Sequence, residues 1–115
     1  MEVQIFGHKK SADTRKALRF FAERRIRTHF VDLNERAASL GELRRFAQKF
    51  GVTALIDRDS RAFEAQGLAH ARYTDDRWLG KLADEPLMLR VPLVRWQHQL
   101  TLGLDEVAWA SWLAR

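Results

Sequence analysis

The residues best placed to do chemistry lie in one short stretch, FGHKKSADTRKA at positions 6–17. A β-branched run closes at Gly7, a basic loop follows, and Ser11 stands where a helix would open. His8, Lys9, Lys10 and Arg15 surround that serine. Such a junction stabilises negative charge. The first-turn N–H groups lack intrahelical partners, the helix dipole is positive at this end, and the basic side chains add to it. A cysteine at position 11 would be activated there as a thiolate. The chain, however, contains no cysteine. A serine hydroxyl has no accessible anion near neutral pH and needs an adjacent general base, and His8 is the only local candidate. We therefore expect Ser11 to act as an N-cap rather than a nucleophile, and His8 to be a solvated loop residue. Lys9, Lys10 and Arg15 could hold an anion at the helix start, although a solvated basic loop is the commoner result of this pattern.

No second centre competes with this loop. His29, His70 and His98 lack metal-ligand spacing, and the absence of cysteine removes thiolate metal sites and disulfides, so no metal is expected. The 115 residues, 46% hydrophobic and 30% charged, are enough for one domain with its own core and too apolar for a disordered chain. A net charge of +5 favours acidic partners. In RKALRFFAERRIR the aromatics belong to the apolar face of a helix, which argues against nucleic acid as the partner. No apolar run approaches the roughly 20 residues of a membrane span, and VQIF follows the first residues without a signal-peptide pattern. A cytoplasmic location without membrane association is the expectation.

The elements that must position the loop can be read from periodicity. EVQIF and RTHFVDL are short strands flanking a helix with Ala17, Leu18, Phe21 and Ala22 on its inner face and Phe20 and Ile26 at the margins. This is a βαβ unit, expected to have parallel strands and a right-handed crossover. SLGELRRFAQKFG carries a capping box, with Ser39 as N-cap and Glu42 three residues on, and stops at Gly51. DRDSRAFEAQGL and TDDRWLGKLADEP follow as short helices, the first ending near Gly67, the second opening at Thr74 or Asp75 and ending before Pro86. LMLRVPLVRW is strand-like, QHQ is a turn, LTLG is the returning strand of an antiparallel hairpin, and LDEVAWASWLA is a last helix with Trp109 and Trp112 in the core. The sheet is therefore mixed.

The order βαβ, helical insertion, ββα is that of an α/β, thioredoxin-like domain with extra helices before its hairpin. Within it, IFGHKKSADTRKALRFF, LIDRDSRAFEAQGL and EPLMLRVPLVRWQHQLTLG resemble the ArsC/Spx family. The resemblance spans nearly the whole chain and implies one domain over residues 1–115, with the insertion at about 38–84. The family includes glutaredoxin- or glutathione-linked arsenate reductases, Spx-type transcription regulators and YffB-like thiol reductases. Its nucleophilic cysteine maps onto Ser11, and the second position of a CxxC pair maps onto Thr14. Neither the attacking nor the resolving sulfur is available, so the mixed disulfide that regenerates such enzymes cannot form. The family arginine preceding the hairpin proline maps onto Val91, and Arg90, one residue earlier, points to the opposite strand face. Arg58 lies close to another family arginine and completes the candidate anion set of Lys9, Lys10, Ser11, Arg15 and Arg58, while Arg95 on the hairpin strand has no counterpart. Pro92 is expected to be the structural cis-proline and Pro86 a trans turn residue.

The reading that fits these departures is a non-catalytic ArsC/Spx-type module that binds an oxyanion, glutathione or an acidic protein partner, with no cofactor. An arsenate or glutathione-dependent thiol reductase is the alternative, and it requires a cysteine at position 11. A nucleic-acid contact protein or Spx-like regulator is the third, and would show steeply salt-dependent binding to arbitrary duplexes.

Overall fold

The structure is a computed structural model and describes residues 1–114. In chain order it contains β1 (Glu2–Gly7), α1 (Ala12–Glu23), β2 (Arg27–Asp32), α2 (Leu40–Phe50), α3 (Arg61–Ala65), α4 (Asp75–Asp84), β3 (Leu93–Trp96), β4 (Gln99–Leu102) and α5 (Glu106–Leu113). Short 3-10 turns lie at Thr53–Leu55 and Pro86–Met88. Two compact units form. One comprises Met1–Asp32 together with the chain from Val91 onward, and the other is Leu33–Arg90.

The first unit holds a four-stranded mixed sheet in the order β2-β1-β3-β4. β1 runs parallel to β2, with Glu2 opposite Arg27 and Gly7 opposite Asp32, and antiparallel to β3, with Phe6 opposite Leu93. β3 and β4 form the expected antiparallel hairpin. Strand alternation puts Val3 and Ile5 on one face of β1, and these pack with Val94, Ala17, Phe20, Phe21, Trp109 and Trp112. The core of this unit is thus the layer between the sheet and helices α1 and α5. At its centre, the indole N–H of Trp109 donates to Thr101 Oγ1 at 2.7 Å, so the one polar atom of a fully buried tryptophan is satisfied.

Helix α1 sits with a different face inward from the one expected. Its buried residues are Thr14, Ala17, Phe20 and Phe21, whereas Ala22 is exposed and Leu18 only half-buried. Phe21 is inward in both readings; burying Phe20 removes more apolar area from water than burying Ala22 would, and it turns the inner stripe toward the 14–17–20–21 line. The C-terminus closes as a Schellman motif, with Ile26 N–H on the Phe21 carbonyl at 2.9 Å and Arg25 N–H on the Ala22 carbonyl at 3.0 Å. The left-handed position belongs to Arg25, at φ 57°, where glycine is usual. Without that glycine the stop is not marked in the sequence.

In the second unit the capping box at Ser39 and Glu42, the stop at Gly51 and the cap at Thr74 all form as expected. Leu43 and Phe46 of α2 and Trp78, Leu79 and Leu82 of α4 are buried, and Trp78 stacks on Phe63 at 6.3 Å and meets Tyr73 at 4.9 Å. The run LMLRVPLVRW is not one strand. Pro86 opens a 3-10 turn, residues 88–90 pair briefly with 55–57 through Ile56 opposite Leu89, and β3 begins only at Leu93, after the cis Val91-Pro92 bond. Proline lacks the N–H that a continuous ladder would need at position 92. The hairpin turn is also shorter than QHQ, since Gln99 already belongs to β4 and Gln97 takes φ 55°.

The Trp109–Thr101 bond supplies a stability test. Thr101→Val should leave the indole N–H buried and unpaired and cost about 1–3 kcal/mol. Urea unfolding should show a lower midpoint at an unchanged slope, with Thr101→Ser staying nearer the parent.

Candidate functional site

Strand β1 delivers the chain into a tight turn in which the Ser11 N–H donates to the His8 carbonyl at 3.1 Å. Ser11 then takes extended backbone angles, and its hydroxyl accepts from the Thr14 N–H at 3.1 Å. The serine is an N-cap, as its position suggested. Arg15 N–H bonds the Ser11 carbonyl at 3.1 Å, which starts the regular ladder. The remaining first-turn amides, those of Ala12 and Asp13, have no intrahelical acceptor and face the position an anion would take at the helix start. Asp13 brings a carboxylate to the same turn and competes for the same donors.

Around this start the basic residues take distinct roles. Lys9 and Lys10 are exposed on the turn. Arg15 folds back across the loop, and its Nη1 donates to the Lys9 carbonyl at 2.6 Å. That bond holds one guanidinium beside the turn. His8 is half-buried and presents its carbonyl, not its ring, to Ser11. Arg58 belongs to the Leu33–Arg90 unit, where its guanidinium lies over the Phe63 ring at 5.4 Å. Val91, half-buried, precedes the cis-Pro92 and presents an aliphatic side chain at the head of the hairpin strand. Arg90 is exposed, and its N–H is tied to the Leu55 carbonyl at 2.8 Å within the second unit. Arg95 donates from Nε to the Gln97 carbonyl at 2.9 Å and so serves the hairpin turn. Of the candidate anion set, the fold gathers Lys9, Lys10, Ser11 and Arg15 into one loop and helix start.

One contact at this site was not foreseen. Thr14 is fully buried, and its side chain packs directly on the Gly7 backbone; a Cβ at Gly7 would lie 2.4 Å from Thr14 Oγ1 and 2.6 Å from Thr14 Cγ2. Gly7 is therefore required by space, not by backbone angle. The hydroxyl that makes this contact has no hydrogen-bond partner. A glycine closing a strand reads as a turn signal, and nothing in the local sequence says that a threonine seven residues on fills the room its missing side chain leaves. Among the described residues no group of three or more His, Asp or Glu side chains could hold a metal ion, and no helix is long and apolar enough to cross a membrane.

A parallel βαβ unit completed by an antiparallel hairpin and helix, with a cis-proline at the head of the hairpin strand and a helix opening after β1, defines a thioredoxin-like domain. The chain belongs to the ArsC family, whose model matches residues 6–111. Solved structures share the fold. A YffB protein superposes with a TM-score of 0.82 at 20% identity, over 95% of this chain and 96% of that one. An arsenate reductase from Vibrio cholerae gives 0.78 at 23% identity, over 89% of each chain. An arsenate reductase (ArsC) related protein from Brucella melitensis gives 0.69 at 18% identity, over 100% of this chain and 97% of that one. No curated protein matches the sequence significantly.

The Gly7–Thr14 contact can be tested by a double-mutant cycle. Gly7→Ala should cost about 1–3 kcal/mol, because the added methyl meets a fully buried side chain. In a Thr14→Ala background the same change should cost clearly less, giving a coupling of about 1 kcal/mol in denaturant unfolding.

Proposed function

We propose that this ArsC-family domain has no thiol redox activity and uses the loop from Gly7 to Arg15 to bind an oxyanion, either free or carried by a partner, in a cytoplasmic setting. The observation that carries this reading is the use of the Ser11 hydroxyl as an N-cap on Thr14, with no sulfur at either position of the family's thiol pair. A hydroxyl accepting a backbone N–H can still give up its proton only to a base, and the His8 ring does not make that contact. The binding half of the family chemistry depends on different atoms. The amides of Ala12 and Asp13, the positive end of the α1 dipole and the guanidinium of Arg15 do not need the sulfur. With Val91 in place of an arginine the site has no preorganised clamp, so affinity for phosphate, sulfate or arsenate should be millimolar, roughly 4 kcal/mol.

Two measurements test the two halves. Purified protein given arsenate, glutathione and glutaredoxin should turn over no faster than a heat-killed control, and measurable reduction would overturn the non-catalytic reading. Ser11→Cys, alone or with Val91→Arg, asks whether sulfur alone or sulfur plus clamp is missing. For binding, phosphate is titrated at fixed ionic strength while backbone amides are followed by NMR. Saturable shifts confined to residues near Ala12 and Asp13 are expected. Uniform drift across the spectrum up to tens of millimolar phosphate would remove the anion site and leave a protein partner as the better account.

A further inference from the structure

At the opposite end of the first unit from the Ser11 loop, an open groove is lined by Met1, Arg24, Ile26, Trp96, Trp112 and Leu113. Its position follows from the fold. Met1 precedes β1 and Ser11 follows it, so the length of a six-residue strand, about 20 Å, separates the two places. The Schellman turn after α1 directs Ile26 inward, the end of β3 supplies Trp96, and the last turn of α5 supplies Trp112 and Leu113. Trp96 and Trp112 face one another at 6.1 Å between ring centroids, tilted by 43°. The groove is open to solvent and its lining is about as polar as apolar, so it offers an amphiphile both an apolar strip and a charged anchor.

Arg24 is that anchor. It is the only charged side chain among the described lining residues. Two contacts fix it: its guanidinium carbon lies 3.7 Å from the centroid of the Phe20 ring, and its Nη1 donates to the Phe20 carbonyl at 2.9 Å. One of five N–H donors is used in that bond, and the side chain is solvent-exposed. A planar cation held on an aromatic face beside the groove has little rotamer entropy left to lose on meeting a carboxylate. The C-terminal dipole of α1 opposes an anion here by about half a unit charge. Arg24, Arg25 and Arg27, set against Glu2 and Glu23, leave this end positive even after that half charge.

We propose that this groove is a binding site for a small amphiphilic carboxylate, a medium-chain or arylalkyl acid whose apolar body lies along the exposed edges of Trp96, Ile26 and Leu113 and whose carboxylate is held by Arg24. The assignment is independent of the anion site at Ser11. The carboxylate comes from charge complementarity and the apolar body from the walls. A simple inorganic anion would leave the walls empty, and an alkylammonium would meet Arg24 as a like charge.

The test uses the full chain and three matched probes below their micellar concentrations: octanoate, octanol and octylammonium. Indole N–H resonances are followed by NMR, with Trp78 and Trp109 as internal controls. Saturable shifts of Trp96 and Trp112 are expected with octanoate, about tenfold weaker with octanol, and weakest with octylammonium. Arg24→Met should bring octanoate down to the octanol value, and Arg24→Lys should keep part of the preference, with thermal unfolding confirming that each variant is folded. Absence of saturable shifts at Trp96 and Trp112, equal affinity for octanoate and octanol, tighter binding of the amine, or unchanged octanoate binding in folded Arg24→Met would each overturn the assignment.

Discussion

Helix α1 is held at both ends, and most of what the first unit can do depends on that restraint. Near its C-terminus, Phe20 and Phe21 each meet the Trp109 ring with centroids 5.4 Å apart, while the Trp109 indole N–H reaches Thr101 on β4. One buried side chain thereby joins α1, α5 and the hairpin. At the other end Thr14 seats on Gly7, so the helix begins at a fixed height above the end of β1. Close-packed interiors transmit such restraints because neither contact can slide by even a methyl group without opening a void or a clash. The positions of the Ser11 turn and of the Arg24 turn follow from these two anchors.

In the proposed non-redox reading, two kinds of atom at the start of α1 are separate. Sulfur is a side-chain property, and positions 11 and 14 here carry Ser and Thr. The amides of the first turn and the helix dipole belong to the backbone and survive any substitution that leaves the helix in place. Thr14 serves packing. Its side chain is core, packed on Gly7, and its hydroxyl oxygen has no partner. A buried hydroxyl without a hydrogen bond is a cost in stability, which the packing of its methyl against β1 offsets.

Much of this was legible in the sequence, for identifiable reasons. Caps announce themselves by local chemistry: Ser11, Ser39 with Glu42, and Thr74 each place an oxygen where an N–H must be satisfied, and all three form. The mixed sheet, the hairpin and the cis bond before Pro92 follow from strand signals and from the family resemblance. What was not legible depends on contacts distant in sequence or on a missing signal. The inner face of α1 turned because Phe20 outweighs Ala22 against Trp109, 89 residues further along the chain from Phe20. The α1 stop was hidden because Arg25 takes the left-handed place of a glycine. LMLRVPLVRW reads as one apolar run, yet Pro92 and the pairing of residues 88–90 with 55–57 divide it. Within the candidate site, the loop residues were legible as a group, whereas the seating of Arg58 over the Phe63 ring was not, because it depends on a packing contact rather than a local motif.

Both ends of α1 are electropositive, but for different reasons, and the difference bears on how each could recognise an anion. Residues 9–27 carry eight lysines and arginines against Asp13 and Glu23. At the N-terminus those side chains act in the same direction as the dipole and the unpaired amides. At the C-terminus the dipole is reversed, and the positive character depends entirely on side chains opposing it. Only one of them, Arg24, is fixed in place by both a ring and a carbonyl while lining a groove. A polar, solvated loop of that kind suits a small, strongly hydrated oxyanion, whereas a single stacked guanidinium beside tryptophans suits an anion with an apolar body. If both proposed sites bind, one helix would sort anions by hydration, with the backbone selecting at one end and one arginine at the other.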